Sequence, residues 1–188
     1  MLIPVTIIIV ILFFLFFIFN RDEKDINHYI KNYSSKKRAS SHKVVVSINM
    51  INSFDDCRNT VLSILNQTSK IDEIVINSPS HLQLPNDLSK VCTLFVTKDY
   101  GQYNKLVPTI LKERETETII ICVESGIIYE KDFIDNTIQY IDDGNVVLSD
   151  RCTCVKAGHI DSSFIEDLDT DYNTKLQSYF NDYNIVHY

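Results

Sequence analysis

Two side chains in the middle of the chain are of types that contact nucleotides in other proteins. Lys105 follows a Tyr100-Gly101 turn and lies near the start of a predicted helix. A lysine ammonium there could contact a phosphate group, or it could be an ordinary exposed helix lysine. Tyr100 could stack on a nucleotide base or could cover the edge of a sheet. A phosphate-binding role for Lys105 is therefore a hypothesis with a stated alternative.

The cysteines do not form a metal-binding pattern. The five are Cys57, Cys92, Cys122, Cys152 and Cys154. The Cys152-x-Cys154 spacing is shorter than that of zinc knuckles, and no second pair of Cys or His side chains completes a site. Buried free thiols are favoured, and a Cys152/Cys154 redox pair is the alternative.

Alternating strands and helices must position these side chains. Short runs rich in Val and Ile predict strands, and apolar residues at helical spacing predict helices. The predicted strands are 43–48, 73–76, 93–96, 118–123 and 146–148. The predicted helices include 55–66, 106–111, 132–141 and 171–180. This order is typical of an α/β domain with a mostly parallel, buried sheet flanked by helices.

The loops after the predicted strands are the expected ligand-binding region. In open parallel sheets, ligands bind beyond the carboxyl ends of the strands. The relevant loops are 49–54, 77–80, 97–103 and 124–129. Tyr100 lies in the third loop, and Lys105 follows it.

The first residues of the chain predict a membrane anchor. From Met1 to Phe19 the only polar side chain is Thr6, and none is charged. At ~1.5 Å per helical residue, this run approaches the ~30 Å thickness of the hydrocarbon core of a bilayer. No basic residue precedes the run and no Ala-x-Ala pattern follows it, so an uncleaved single-pass anchor over residues 1–20 is favoured over a removed signal peptide. The lipid bilayer is thus a predicted partner.

Residues 21–42 are polar and predict a solvated stem, which leaves residues 43–188 as one domain. The basic residues after the anchor favour a cytosolic domain. Asn32-Tyr33-Ser34 and Asn66-Gln67-Thr68 are glycosylation motifs, which would be used only in a lumen. The side of the membrane is therefore left open.

The overall charge of the chain argues against a nucleic acid as its partner. The formal net charge is −7. General nucleic-acid binding needs a concentrated basic surface, so the charge argues against it.

Three groups of residues, in a fixed order, carry a resemblance to a known family. They are Val46-Ser47-Ile48 with Ser63-Ile64-Leu65-Asn66-Gln67-Thr68, then Asp99-Tyr100-Gly101 with Lys105-Leu106-Val107-Pro108, then 118–123 with Ile127-Ile128-Tyr129 and Asp132-Phe133. Their order and spacing, from Val44 to Ile141, resemble a family-2-like glycosyltransferase of the GT-A type. The resemblance implies a GT-A/Rossmann-like fold and transfer of a sugar from a nucleotide-sugar donor to a hydroxyl acceptor.

The resemblance also assigns roles around the donor. Such enzymes usually hold Mg²⁺ or Mn²⁺ with an Asp-x-Asp element and the donor phosphates. At that place this chain has Glu124-Ser125-Gly126, so Glu124 is the expected metal ligand and donor-binding residue, while Gly126 replaces a ligand. Tyr100 and Lys105 are the other expected donor-binding residues. One carboxylate would hold a hydrated cation less well than two.

The acidic run Glu166–Asp171 resembles the element that supplies the base activating the acceptor hydroxyl. By position, Asp171 is the expected catalytic base, with Asp169 next. Capping of the following helix by Asp169 or Thr170 is the alternative.

Two functions are consistent with this sequence. The first is a membrane-anchored glycosyltransferase, for which Glu124→Ala should weaken nucleotide-sugar binding in the presence of Mn²⁺. The alternative is a catalytically inactive GT-A-like domain that acts as a binding or structural membrane protein, which the degenerate Glu124-Ser125-Gly126 element favours.

Overall fold

The structure is a computed structural model that describes residues 26–50, 53–113, 115–141, 145–149, 152–157 and 184–187. Its strands are β1 (Val44–Asn49), β2 (Glu73–Ser78), β3 (Thr93–Val96), β4 (Ile119–Glu124), β5 (Asn145–Ser149), β6 (Cys152–Lys156) and β7 (Asn184–His187). Its helices are α1 (residues 26–34), α2 (Phe54–Leu65), α3 (Val107–Lys112) and α4 (Phe133–Ile138). Short 3₁₀ helices lie at Leu88–Lys90 and Gly101–Tyr103.

The described strands form one sheet in the order β3-β2-β1-β4-β6-β5-β7. Strands β1 to β4 are mutually parallel where they pair, β6 is antiparallel to both β4 and β5, and β7 is parallel to β5. The chain passes from β1 to β2 and β3 on one side, then returns to place β4 on the other side of β1. This mostly parallel α/β sheet flanked by helices confirms the predicted fold class.

The apolar core lies between one face of the sheet and helices α1, α2 and α4. Alternate residues of a strand point to the same face, and this face carries the buried side chains Val46, Ile76 and Ile121. Ile64 of α2 and Ile134 of α4 pack against them. Helix α2 begins well because the Ser53 hydroxyl accepts a hydrogen bond from the backbone N–H of Asp56. Helix α3 covers the opposite face.

Helix α1 lies within the segment 21–42 that the sequence predicts to be a stem. Ile26 is fully buried, and Tyr29, Ile30 and Tyr33 pack against the core. The Tyr33 hydroxyl donates a hydrogen bond to the carbonyl oxygen of Ile71 at 3.2 Å. The packed domain therefore includes part of the predicted stem.

No helix among the described residues is long and apolar enough to cross a membrane. The predicted anchor at residues 1–20 and the predicted helix 171–180 lie outside the described residues. Both stay predictions.

All five cysteines are buried, reduced thiols, as the sequence favours. Burial raises the pKa of Cys57 to about 11 and that of Cys152 to about 12. Burial also raises the pKa of Cys154. Because the thiolate is the reactive form, these thiols are unreactive near neutral pH.

Two partly buried ion pairs predict loss of stability in acid. Arg58 Nε donates to Asp87 Oδ2 at 2.6 Å, and Lys112 pairs with Glu73. Burial opposes ionisation of both carboxylates, but the hydrogen bonds and charges of their partners outweigh it and hold both pKa values below the usual range. The folded state therefore binds fewer protons than the unfolded chain, and this stabilisation is complete above about pH 5.

We expect the free energy of unfolding to fall as the pH drops below about 4. The loss continues until the pH has passed the lowered pKa values that the two carboxylates have in the folded state. Urea denaturation of the full chain at a series of pH values measures this. The Asp87→Asn variant should lose less stability between neutral and acid pH than the wild type. An equal loss in both would contradict the contribution of this pair.

Candidate functional site

The candidate site lies at the carboxyl ends of β1 and β4, where the strand order switches. In register, Asn49 of β1 lies beside Asn77 of β2 on one side and Glu124 of β4 on the other. Residues in register in a parallel sheet share a face, so these three side chains form a polar row at the end of the face that α3 covers. Ligands of open α/β sheets bind at this kind of position.

Lys105 and Glu124 form an ion pair at this edge. Lys105 precedes α3, whereas Glu124 ends β4. The side chains are 19% and 31% exposed, respectively, so solvent reaches the pair only partly. The structure thus brings together two of the residues that the sequence predicts to bind the donor.

The backbone of Lys105 is fixed against the sheet. Its carbonyl oxygen accepts hydrogen bonds from the Ser47 hydroxyl and, at 3.2 Å, from the Cys122 thiol. Ser47 and Cys122 are register neighbours on β1 and β4. The backbone from which the lysine side chain extends is therefore held by hydrogen bonds to two adjacent strands.

A buried hydrogen-bonded cluster beneath Lys105 was not identified from the sequence. The Ser47 and Thr109 hydroxyls lie 2.7 Å apart, and the Asn77 amide nitrogen donates to them at 2.8 and 3.0 Å. All three residues are fully buried. The available signal was the polar interruption of the apolar runs 44–48 and 74–77. This cluster joins α3, and with it the Lys105 segment, to β1 and β2.

Three buried polar oxygens at this edge have no hydrogen-bond partner among the described residues: Asn49 Oδ1, Asn77 Oδ1 and Ser125 Oγ. Asn49 is 7% exposed. A buried polar atom without a partner costs about 1–3 kcal/mol, so such atoms are few in folded proteins. Asn49 is in register with Glu124 and Ser125 follows Glu124 in the chain, whereas Asn77 belongs to the buried cluster beneath Lys105. Asn49 and Asn77 lie in the loop ranges predicted from the sequence, but neither was singled out.

The loop after β4 is held by Thr60 of α2. The Thr60 hydroxyl donates to the Ile127 carbonyl oxygen at 3.0 Å and accepts from the backbone N–H of Gly126 at 3.0 Å. Gly126 has a φ of +86°, in the left-handed region that favours glycine. The backbone N–H of Glu124 donates to the Tyr129 hydroxyl at 2.9 Å. The backbone at Glu124 and the loop that follows it therefore have a defined conformation.

Tyr100 is only 3% exposed. The Lys98 ammonium lies 5.0 Å from the centre of its ring. The turn around it is held by Asp99 Oδ1, which accepts from the backbone N–H of Gly101 and the amide of Asn104. These two hydrogen bonds lower the pKa of Asp99. The burial of Tyr100 agrees with the alternative that it covers the sheet, and base stacking by this ring stays a prediction.

The described residues do not fit the divalent-cation site that the resemblance implies. Glu124 supplies a carboxylate, but the Lys105 ammonium contacts it, and Gly126 has no side chain. Within the described ranges, no group of three or more His, Cys, Asp or Glu side chains is placed to hold a metal ion. Asp169 and Asp171 lie outside those ranges, so their role as base stays a prediction.

No protein-family model matches the chain, and no curated protein matches its sequence. Among solved structures, the crystal structure of 2-C-methyl-D-erythritol 4-phosphate cytidylyltransferase from Francisella tularensis matches with a TM-score of 0.50. The two chains share a fold. The match covers 78% of this chain and 90% of the cytidylyltransferase, at 12% identity. At this identity the match shows the fold alone. At that level it confirms the predicted Rossmann-like sheet.

Proposed function

We propose that this protein is a nucleotide-dependent transferase that binds the diphosphate of its donor at the carboxyl ends of β1 and β4. The observation that carries the proposal is the Lys105–Glu124 pair at the strand-order switch, in register with Asn49, whose Oδ1 has no hydrogen-bond partner among the described residues. A lysine supplies the positive charge that a diphosphate needs, and buried acceptors fix the orientation of hydroxyl or amine groups. The similar solved structure is named a cytidylyltransferase, which supports a nucleotide as the ligand class.

The specific reaction that we propose is glycosyl transfer. The oxygen of an acceptor hydroxyl attacks the anomeric carbon of the sugar while the bond to the nucleotide diphosphate breaks. Lys105 stabilises the charge that develops on the diphosphate, and Asp171, or else Asp169, accepts the proton of the hydroxyl. Residues 1–20 anchor the protein in a lipid bilayer.

A second candidate function is a non-catalytic nucleotide-binding domain. The observation that favours it is the Lys105–Glu124 pair, because the carboxylate that the resemblance assigns to a metal ion contacts an ammonium instead. Donor turnover distinguishes the two functions, since only the transferase releases a nucleoside diphosphate.

We expect the full chain, purified in detergent, to bind UDP-glucose or GDP-mannose in isothermal calorimetry. The Asn49→Leu variant should bind the same nucleotide sugar about fivefold or more weakly, because it loses a polar contact worth about 1 kcal/mol. Its thermal stability should not fall, because a buried acceptor without a partner is replaced by an apolar group of similar shape.

The absence of binding by UDP-, GDP- and CDP-linked donors to the folded full chain would contradict the proposed function. Unchanged binding by Asn49→Leu would place the donor elsewhere on the protein. Release of UDP or GDP during incubation would support the transferase over the non-catalytic domain.

A further inference from the structure

We infer that Lys105 binds the diphosphate of the donor directly, in place of a divalent cation. This inference rests on the proposed function, because it names the group that neutralises the ligand at the same site. It differs from the metal-dependent binding that the resemblance implies.

The first reason for this inference is the set of side chains that could coordinate a cation at the end of β4. Glu124 is followed by a hydroxyl side chain at Ser125 and by Gly126, whereas hard divalent cations prefer several carboxylate or carbonyl oxygens. The Lys105 ammonium contacts the Glu124 carboxylate, which is where a cation held by Glu124 would bind. A divalent ion would therefore have to displace a positive charge and remain close to it.

The attachment of Lys105 is the second reason. Its carbonyl oxygen is bonded to Ser47 on β1 and Cys122 on β4, so the base of the side chain does not have to be ordered when a ligand binds. Preorganisation of this kind lowers the entropic cost of binding. The backbone of Lys105 is thus fixed at the strand-order switch, and its ammonium contacts the carboxylate that would otherwise hold a cation.

The third part of the inference is that the Lys105 ammonium exchanges its partner when the ligand binds. In the structure, Glu124 compensates the charge of Lys105. A diphosphate carries more negative charge than a carboxylate, so the ammonium transfers its hydrogen bonds from Glu124 to phosphate oxygens. Glu124 competes with the ligand in this scheme, whereas it assists the ligand if it holds a metal ion. The two schemes predict opposite effects when the charge of Glu124 is removed.

The experiment is calorimetric titration of the detergent-purified full chain with UDP and with inorganic pyrophosphate, in EDTA and in Mn²⁺. Wild-type affinity should be equal in the two buffers to within about twofold. Lys105→Ala should lower the affinity for both probes by about tenfold or more, the range expected for a hydrogen bond to a charged group. Glu124→Gln should raise the affinity in EDTA by about threefold, because a like charge near the phosphate is removed.

Lys112→Ala is the matched control. Lys112 lies at the end of α3 and pairs with Glu73 at the amino end of β2. The variant therefore loses the same type of ion pair, but at the opposite ends of the strands from the candidate site. Its affinity for UDP and pyrophosphate should equal that of the wild type. If Lys105→Ala does not fold, Lys105→Gln and Glu124→Gln provide the same comparison.

Binding of UDP only in Mn²⁺, together with its loss in Glu124→Gln, would overturn this inference and leave the proposed function intact. Binding of UDP that is unchanged in Lys105→Ala would also overturn it. The absence of UDP binding in both buffers, and of binding by the nucleotide sugars, would instead overturn the proposed function.

Discussion

Replacement of Ile121 by alanine is expected to lower the free energy of unfolding by about 2–5 kcal/mol. Ile121 is fully buried at the centre of β4. It lies between Val46 of β1 and Cys154 of β6 in register, and its side chain belongs to the core beneath α1, α2 and α4. The strands beside Ile121 and the helices packed on its side chain restrain the surrounding atoms, so they fill the cavity only in part. Urea denaturation of the full chain measures the change.

Ile121→Val is the matched control, since it removes a single methylene group and should cost about 0.5–1.5 kcal/mol. The two variants should share the same dependence on urea concentration, because the surface exposed on unfolding is nearly unchanged. A cost for Ile121→Ala that does not exceed that of Ile121→Val would contradict the central position of β4.

Replacement of Thr60 by valine is expected to destabilise the protein by about 1–3 kcal/mol and to weaken nucleotide binding. Valine has nearly the shape of threonine but lacks the hydroxyl that contacts Gly126 and the Ile127 carbonyl oxygen. Thr60 is fully buried, so water cannot easily replace the lost hydrogen bonds. The loop that carries Glu124 then loses a contact with α2, and the geometry of the site relaxes.

Thr60→Ser keeps the hydroxyl and is the control for this prediction. It should retain the affinity for UDP that Thr60→Val loses, although it also lacks a buried methyl group and is therefore less stable than the wild type. Thermal unfolding and calorimetry on the same preparations separate the two effects. Equal affinity in Thr60→Val and the wild type would show that the loop does not depend on this hydroxyl.

The sequence predicted the central strands well. The run 118–123 indicated β4, and the structure has Ile119–Glu124. The run 43–48 indicated β1, and the structure has Val44–Asn49. Continuous β-branched runs are typical of strands covered on both faces, so a local signal is sufficient for them.

The sequence predicted the edges of the domain poorly. The sequence predicts no strand over Cys152–Lys156, yet this segment forms β6 against β4. Its identity as a strand depends on a partner that is distant in sequence. The sequence does not predict helix α1, because this segment has the polar composition of a linker. The spacing of Ile26, Ile30 and Tyr33 nevertheless fits a helix that packs on the core.

The sequence by itself determined that an α/β sheet would form and that a lysine and a carboxylate would follow its strands. Only the tertiary structure decided that Lys105 and Glu124 form an ion pair and that Asn49, in register with Glu124, has an oxygen with no partner among the described residues. The physical reason is that strand runs and turns are local properties of the chain. The neighbours of a side chain at the end of a parallel strand depend on strand order and register, which are set by packing across the whole sheet.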